Sequence, residues 1–257
     1  MFRNAGDHAD NRSRTAAFAA VPFRPSDYGE TGPRMLVRLA VACLLCLLVR
    51  PASAGGTNVR GTLWLTSSAR ARAAKSAGVP AVQAGVTEGV IWVEAIPADV
   101  EARLATPTRG WFRRRPVPEV VPSVARRNEA FAPRVTAVPA GGRVEFASTD
   151  RYYHSTFSVS GAKRFDLGKR APGVRDTVDF RRPGVVNLHC EIHPGEVGFV
   201  VVTPNHAYAR PDSAGRFGLP RLPAGKYVLR AWHPRKGELS LRFEVPKRGS
   251  VELDPTF

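Results

Sequence analysis

The chain has 257 residues, enough for one large or two small domains with cores of their own, and a formal charge of +16. Arg carries most of that charge, since only six Lys occur in the whole sequence. No basic helix, zinc-finger spacing or basic stripe interleaved with aromatics accompanies it, so nucleic acid is not an expected partner. Two readings of the charge stay open. One is a compositional bias shared with the abundant Ala, Gly and Pro; the other is a basic face for an acidic redox partner or an anionic membrane surface.

In chain order, polar residues 1–34 read as a disordered tail or as an extension ahead of a second candidate start at Met35. Residues 35–54 have the layout of a secretory signal. Arg38 supplies the positive start, residues 39–49 an apolar core of eleven residues, and Ala52-Ser53-Ala54 the small-residue cleavage pattern. The core is well short of the ~20 residues that span a bilayer, so a retained anchor is the weaker reading. The expected location is periplasmic or otherwise extracytoplasmic. Cleavage would remove Cys43, Cys46 and both methionines, leaving Cys190 as the lone cysteine and no methionine at all. A lone cysteine in an exported chain is a buried inert thiol, an intermolecular bridge or a metal ligand.

After residue 54 no amphipathic helix of any length stands out. Short alternating runs separated by Gly and Pro predict an all-β sandwich architecture. Residues 59–65 and 89–95 read as strands, with Ala-rich 69–85 between them as an irregular or briefly helical insertion. Residues 104–123, with four Pro, read as a linker. From Val124 the strand signals become regular: 134–138, a turn at 139–142, 143–147, then Phe157 with Val159 and Val178 with Phe180. In 185–190, Val186, Leu188 and Cys190 share one face while Asn187 and His189 take the other. Residues 198–202 close this series. From Asn205 the tail reads as turn, strand, turn, strand through His233, with further strands at 239–245 and 251–253, a second small sandwich.

The segment that carries chemistry is Val185-Val-Asn-Leu-His-Cys190-Glu-Ile-His193-Pro194-Gly195-Glu196. A strand delivers Cys190, a tight loop follows, and His193 returns three residues later, so thiolate and imidazole reach one small ion. His154 follows a strand in the segment Ser148-Thr-Asp-Arg-Tyr-Tyr-His154. Two His and one Cys from two loops form a trigonal set that suits copper. A nucleophilic Cys190/His193 pair lacks an orienting acid and an oxyanion motif, so no enzyme activity is expected. His189, His206 and His233 read as packing or linker residues. Tyr152 and Tyr153 read either as walls of the metal pocket or as core.

Residues 120–204 resemble the cupredoxin family, in particular its plastocyanin-like, methylamine-utilisation-type branch. The resemblance rests on 131–146 (Phe-Ala-Pro-Arg-Val-Thr-Ala-Val-Pro-Ala-Gly-Gly-Arg-Val-Glu-Phe), His154, 164–168 (Arg-Phe-Asp-Leu-Gly) and 184–194. It implies a Greek-key β-sandwich holding one copper for electron transfer. The family's weak axial Met falls at Glu196 here, which makes Glu196 the expected fourth ligand; the alternative is an empty axial site beside Val197. A carboxylate is a harder donor than a thioether, favours Cu(II) and lowers the potential. Zinc accepts the same four residues as a secondary choice.

The tail is similar to carboxypeptidase regulatory-like domains, small prealbumin-like sandwiches, through Asp212-x-x-Gly-Arg-Phe217 and Leu222-Pro-Ala-Gly-Lys-Tyr-Val-Leu229. That family's opening strands match 59–65 and 89–95. The resemblance therefore implies a discontinuous domain, 55–103 plus 205–257, with the cupredoxin segment 124–204 inserted in it. The expected function is one-electron transfer, against two alternatives: copper storage, delivery or sensing without redox traffic, and a metal-free interaction module.

Overall fold

The computed structural model describes residues 56–65, 83–106 and 121–257, all within one compact unit of the chain. The 1–34 extension, the signal at 35–54, and most of the 69–85 insertion and the 104–123 linker lie outside the described residues.

The chain opens with β1 (Thr57–Thr62) and β2 (Val90–Val93), followed by a helix, α1 (Ala98–Ala105). Nine strands follow: β3 (Ser123–Arg126), β4 (Phe131–Ala132), β5 (Val135–Pro139), β6 (Gly142–Ser148), β7 (His154–Val159), β8 (Arg164–Arg170), β9 (Arg175–Phe180), β10 (Gly184–His189) and β11 (Val197–Thr203). Five more complete it: β12 (Tyr208–Ala209), β13 (Arg216–Leu222), β14 (Gly225–His233), β15 (Gly237–Val245) and β16 (Ser250–Leu253). The architecture is all-β, in four sheets. Among the described residues no helix is long and apolar enough to cross a membrane.

Strands β3 to β11 make the first sandwich, a five-stranded sheet in the order β5-β11-β10-β7-β8 facing a four-stranded sheet β4-β3-β6-β9. Its core holds Val124, Val144, Phe146, Phe180, Val186, Leu188, Val200 and Val202, the inward half of each alternating strand. The second sandwich pairs strands from both ends of the chain. β1 lies antiparallel to β13 and parallel to β16, and β2 lies antiparallel to β12 and β14. The close approach of β1 to β16 needs Gly61, because a Cβ there would overlap the Leu253 carbonyl. Its core includes Val59, Ile91, Val93, Leu222, Leu229 and Val245.

The two sandwiches pack against each other through a third apolar cluster. Val135, Ala137 and Val201 on the outer face of β5 and β11 meet Val90 and Trp232 on β2 and β14. Phe199 packs on Trp232 with ring centroids 5.2 Å apart. This explains why β11 reads as a nearly unbroken apolar run: both of its faces are covered.

Several elements depart from the sequence reading, the two-residue strands β4 and β12 among them. Helix α1 was not expected, because at eight residues with only Val100 fully buried it carries too short an apolar stripe to register as a period. It also shows that the predicted linker begins inside a helix. Strand β8 was not expected either; Phe165 and Leu167 pack on the core, but Gly168 at φ 65° breaks the alternation.

Candidate metal centre

One end of the first sandwich gathers His154, Cys190, His193 and Glu196. One donor atom from each lies within 4.8 Å of all the others. The alternation of β10 sends Val186 and Leu188 into the core and continues to Cys190, just past the strand end. The loop then turns back through a hydrogen bond from the Glu196 N–H to the His193 carbonyl, 2.9 Å, which puts His193 and Glu196 over the thiol. His154 opens β7, whose register shifts between Ser155 and Phe157. That bulge lets three successive residues, His154, Ser155 and Thr156, turn away from solvent where strict alternation would expose one.

The donor atoms lie close enough together that they could hold a metal ion. His154 Nδ1 and His193 Nδ1 lie 3.0 and 3.1 Å from Glu196 Oε1, and Cys190 Sγ lies 3.6 Å from His193 Nδ1. A tetrahedral ion with bonds of about 2.0–2.3 Å sets its ligands about 3.3–3.8 Å apart; these three contacts lie close to that range, and the full set stays within 4.8 Å. Both ring nitrogens of His154 and both carboxylate oxygens of Glu196 are buried without a well-aligned hydrogen bond, and of these Nδ1 and Oε1 face each other at 3.0 Å. His154, Cys190 and Glu196 are buried; only His193, with 25 % of its side chain exposed, reaches the surface.

A second layer holds these residues. Asp150 Oδ2 lies 3.2 Å from His154 Nε2, and its carboxylate accepts the N–H groups of Asn128 and Glu129 at 2.8 and 3.0 Å. Asn128 and Glu129 sit at φ 53° and 55°, a left-handed pair that turns consecutive N–H groups toward one anion. Burial raises the Asp150 pKa, but these N–H groups and His154 outweigh it and hold the carboxyl below its ordinary range. Such a carboxylate fixes the imidazole and leaves Nδ1 for a metal. At Cys190, burial likewise raises the pKa; hydrogen bonds from the Ser155, His193 and Ile192 backbone and the His193 ring outweigh it, and the thiol falls to about 6.

Arg126 was missed by the sequence reading. It ends β3, is 3 % exposed, and forms an ion pair with Glu196 Oε2 through Nη1. Its Nη2 donates to the Ser155 carbonyl and, at 2.8 Å, to Thr156 Oγ1. The guanidinium carbon lies 3.6 Å over the Phe131 ring. Phe131 in turn packs on Gly198, where a Cβ would come within 2.8 Å of the ring. Burial lowers the Arg126 pKa to about 10, opposed by the Cys190 and Asp150 charges, so the group stays a cation at neutral pH. The available signal was an Arg two residues after Val124, a charge on the core-facing register of a strand.

The remaining residues singled out in the sequence stay outside the cluster. His189 packs on Phe157 on the other face of β10, centroids 5.6 Å apart. His206 pairs with Glu101 of α1 at 2.6 Å, a tie beyond the linker reading, and buried His233 lies 3.0 Å from the Gly85 carbonyl through Nε2. Tyr152 and Tyr153 are 61 % and 60 % exposed, which overturns their reading as core, because the loop before β7 carries them past the sandwich edge.

The fold and site thus define an all-β, double-sandwich protein with a His/Cys/His/Glu cluster at one sandwich end. No family model and no curated protein matches the chain. Among solved structures it is similar to a copper-containing nitrite reductase from Thermus scotoductus SA-01, at 26% identity and TM-score 0.35, covering 40% of this chain and 26% of that one. The chain therefore spans about a quarter of the reductase's length. A purple cupredoxin from Nitrosopumilus maritimus matches at 22% identity and TM-score 0.30, over 32% of this chain and 99% of that one. An oxidised amicyanin variant matches at 21% identity and TM-score 0.30, over 33% and 86%.

Proposed function

We propose that this chain is an exported mononuclear copper protein that carries one electron at a time, with His154, Cys190, His193 and Glu196 as ligands. The observation that carries the reading is the convergence of two imidazole Nδ1 atoms, a thiol and one carboxylate oxygen within 4.8 Å, one histidine alone reaching solvent. Each residue has a separate task. Cys190 offers a thiolate already favoured by backbone N–H groups, and Asp150 keeps the His154 ring oriented. His193 gives an electron a short route to a docked partner, and Glu196 supplies the fourth donor. A bound copper ion provides the Cu(I)/Cu(II) couple. The reading assigns the cluster no enzyme activity.

The formal charge of +16 suits an acidic redox partner, and the segment 35–54 suits export to an extracytoplasmic compartment. We read the second sandwich as a carboxypeptidase regulatory-like domain split around the first, a mount that holds the copper domain through the Val90, Val201 and Trp232 cluster. Copper storage, delivery or sensing is the second reading. Buried Glu196 favours it, since a hard donor stabilises Cu(II) and works against easy reduction.

Titration of residues 55–257 with Cu(II), followed by visible absorption and EPR with Cys190→Ala as control, tests the site. The expected result is one equivalent of copper and an intense thiolate charge-transfer band that the control lacks. A measured potential together with reduction by a partner protein separates carrier from storage module. Competition with zinc shows which ion the site prefers. No metal in protein purified from its own host would leave an interaction module.

A further inference from the structure

We propose that Arg126 and Glu196 work as one charge-neutral fourth ligand, with Arg126 the positioning residue that holds the carboxylate in place and cancels its charge. The inference rests on the copper reading above and concerns a residue which that reading does not use. A site with Cys190 as its one anionic ligand presents the ion with a single negative charge. Glu196 would make that two, and the buried guanidinium returns it to one. The two carboxylate oxygens divide the work: Oε2 faces Arg126, while Oε1 faces both imidazoles. A carboxylate so divided presents one oxygen to an ion rather than two.

Arg126 cannot easily follow Glu196 elsewhere. Its other nitrogen is tied to the Ser155 carbonyl and the Thr156 hydroxyl, both on the strand that carries His154, and its plane lies on Phe131. The guanidinium thus links three parts of the site: β3, the start of β7 and the ligand loop. A flexible ammonium would supply the charge without the planar fork. A buried ion pair seldom stabilises a fold more than apolar side chains of the same volume would, so core packing alone does not account for this one.

The test uses the full chain as wild type, Arg126→Gln, Glu196→Gln, the double variant and Arg126→Lys. Five quantities are read: copper stoichiometry, copper affinity, EPR spectrum, reduction potential and the metal-free unfolding midpoint. With Glu196 in place, Arg126→Gln lowers the potential, alters the Cu(II) EPR spectrum and changes copper affinity by about 10–100-fold, the usual scale for residues that orient a ligand. In the Glu196→Gln background the same change has a clearly smaller effect, since only the influence of Arg126 on Cys190 remains. Arg126→Lys restores most of the potential but not the wild-type EPR spectrum. Metal-free, Arg126→Gln lowers the unfolding midpoint and the double variant recovers part of it. If Arg126→Gln does not fold, the Arg126→Lys and double variants still compare charge with geometry. Equal effects of Arg126→Gln in both backgrounds, in copper-loaded protein, overturn this inference alone. No copper in any of the five chains, with the metal-free coupling intact, overturns the copper reading and this inference with it.

Discussion

The two sandwiches are built from the same alternating strands but differ in what they bury. The second has an apolar interior, with Val59, Ile91, Leu222, Leu229 and Val245 at its centre. The first has such an interior along most of its length, then ends in a cluster of Arg126, His154, Ser155, Thr156, Cys190 and Glu196, all hidden from water. Burying ionisable groups is costly unless each finds a partner. Here they find one another: Arg126 pairs with Glu196, Asp150 with His154, and backbone N–H groups with Cys190. One sandwich end thus buries a cluster of polar and ionisable groups where apolar core would otherwise continue. The neighbouring sandwich, packed against the first through Trp232 and Phe199, supplies apolar burial that this end lacks.

The largest effect expected from breaking this contrast comes from its centre. Arg126→Met leaves Glu196 buried without its cation, and chemical denaturation of the metal-free protein should show a loss of about 3–5 kcal/mol. Leu222→Ala opens a cavity in the apolar sandwich and should cost about 2–5 kcal/mol by the same assay while leaving the copper spectrum unchanged. Equal spectral damage from both variants would mean that the two regions are not separable. Asp150→Asn should weaken copper binding by about 10–100-fold in a chelator competition, with a small effect on metal-free stability.

A fourth outcome concerns pH. The Cys190 thiol sits at about 6 in the folded chain against an ordinary 9.0, so its thiolate contributes stability that is complete above about pH 9. That contribution drains away as pH falls toward about 6. Metal-free wild type should lose stability over this window and Cys190→Ala should not; ultraviolet thiolate absorbance would give the midpoint directly. The smallest effect belongs to the seam. Arg134 pairs with Glu88 across the two sandwiches at 3.1 Å, partly exposed, so Arg134→Ala should cost only about 0.2–1 kcal/mol and less at high salt.

Much of this molecule is legible along the chain, because a strand's period of two puts its inward face in plain view. Val186, Leu188 and Cys190 alternate in the sequence as they do in space, and the short loop to His193 and Glu196 keeps three donors together whatever the rest of the fold does. Gly-rich turns and the lack of a long apolar stripe suffice to imply an all-β chain. Helix α1 escaped since its stripe is one residue wide, and β8 because a glycine interrupts it.

The rest was settled by packing between distant segments. Arg126 meets Glu196 across 70 residues of chain, and Asp150 is gripped by Asn128 and Glu129 from another loop. No local period encodes such meetings, because they depend on how β3 lies beside β6 and how β7 bulges. The order of residues along the chain limits which side chains could serve as donors. Folding selects which of them share a point in space, and which buried cation balances them.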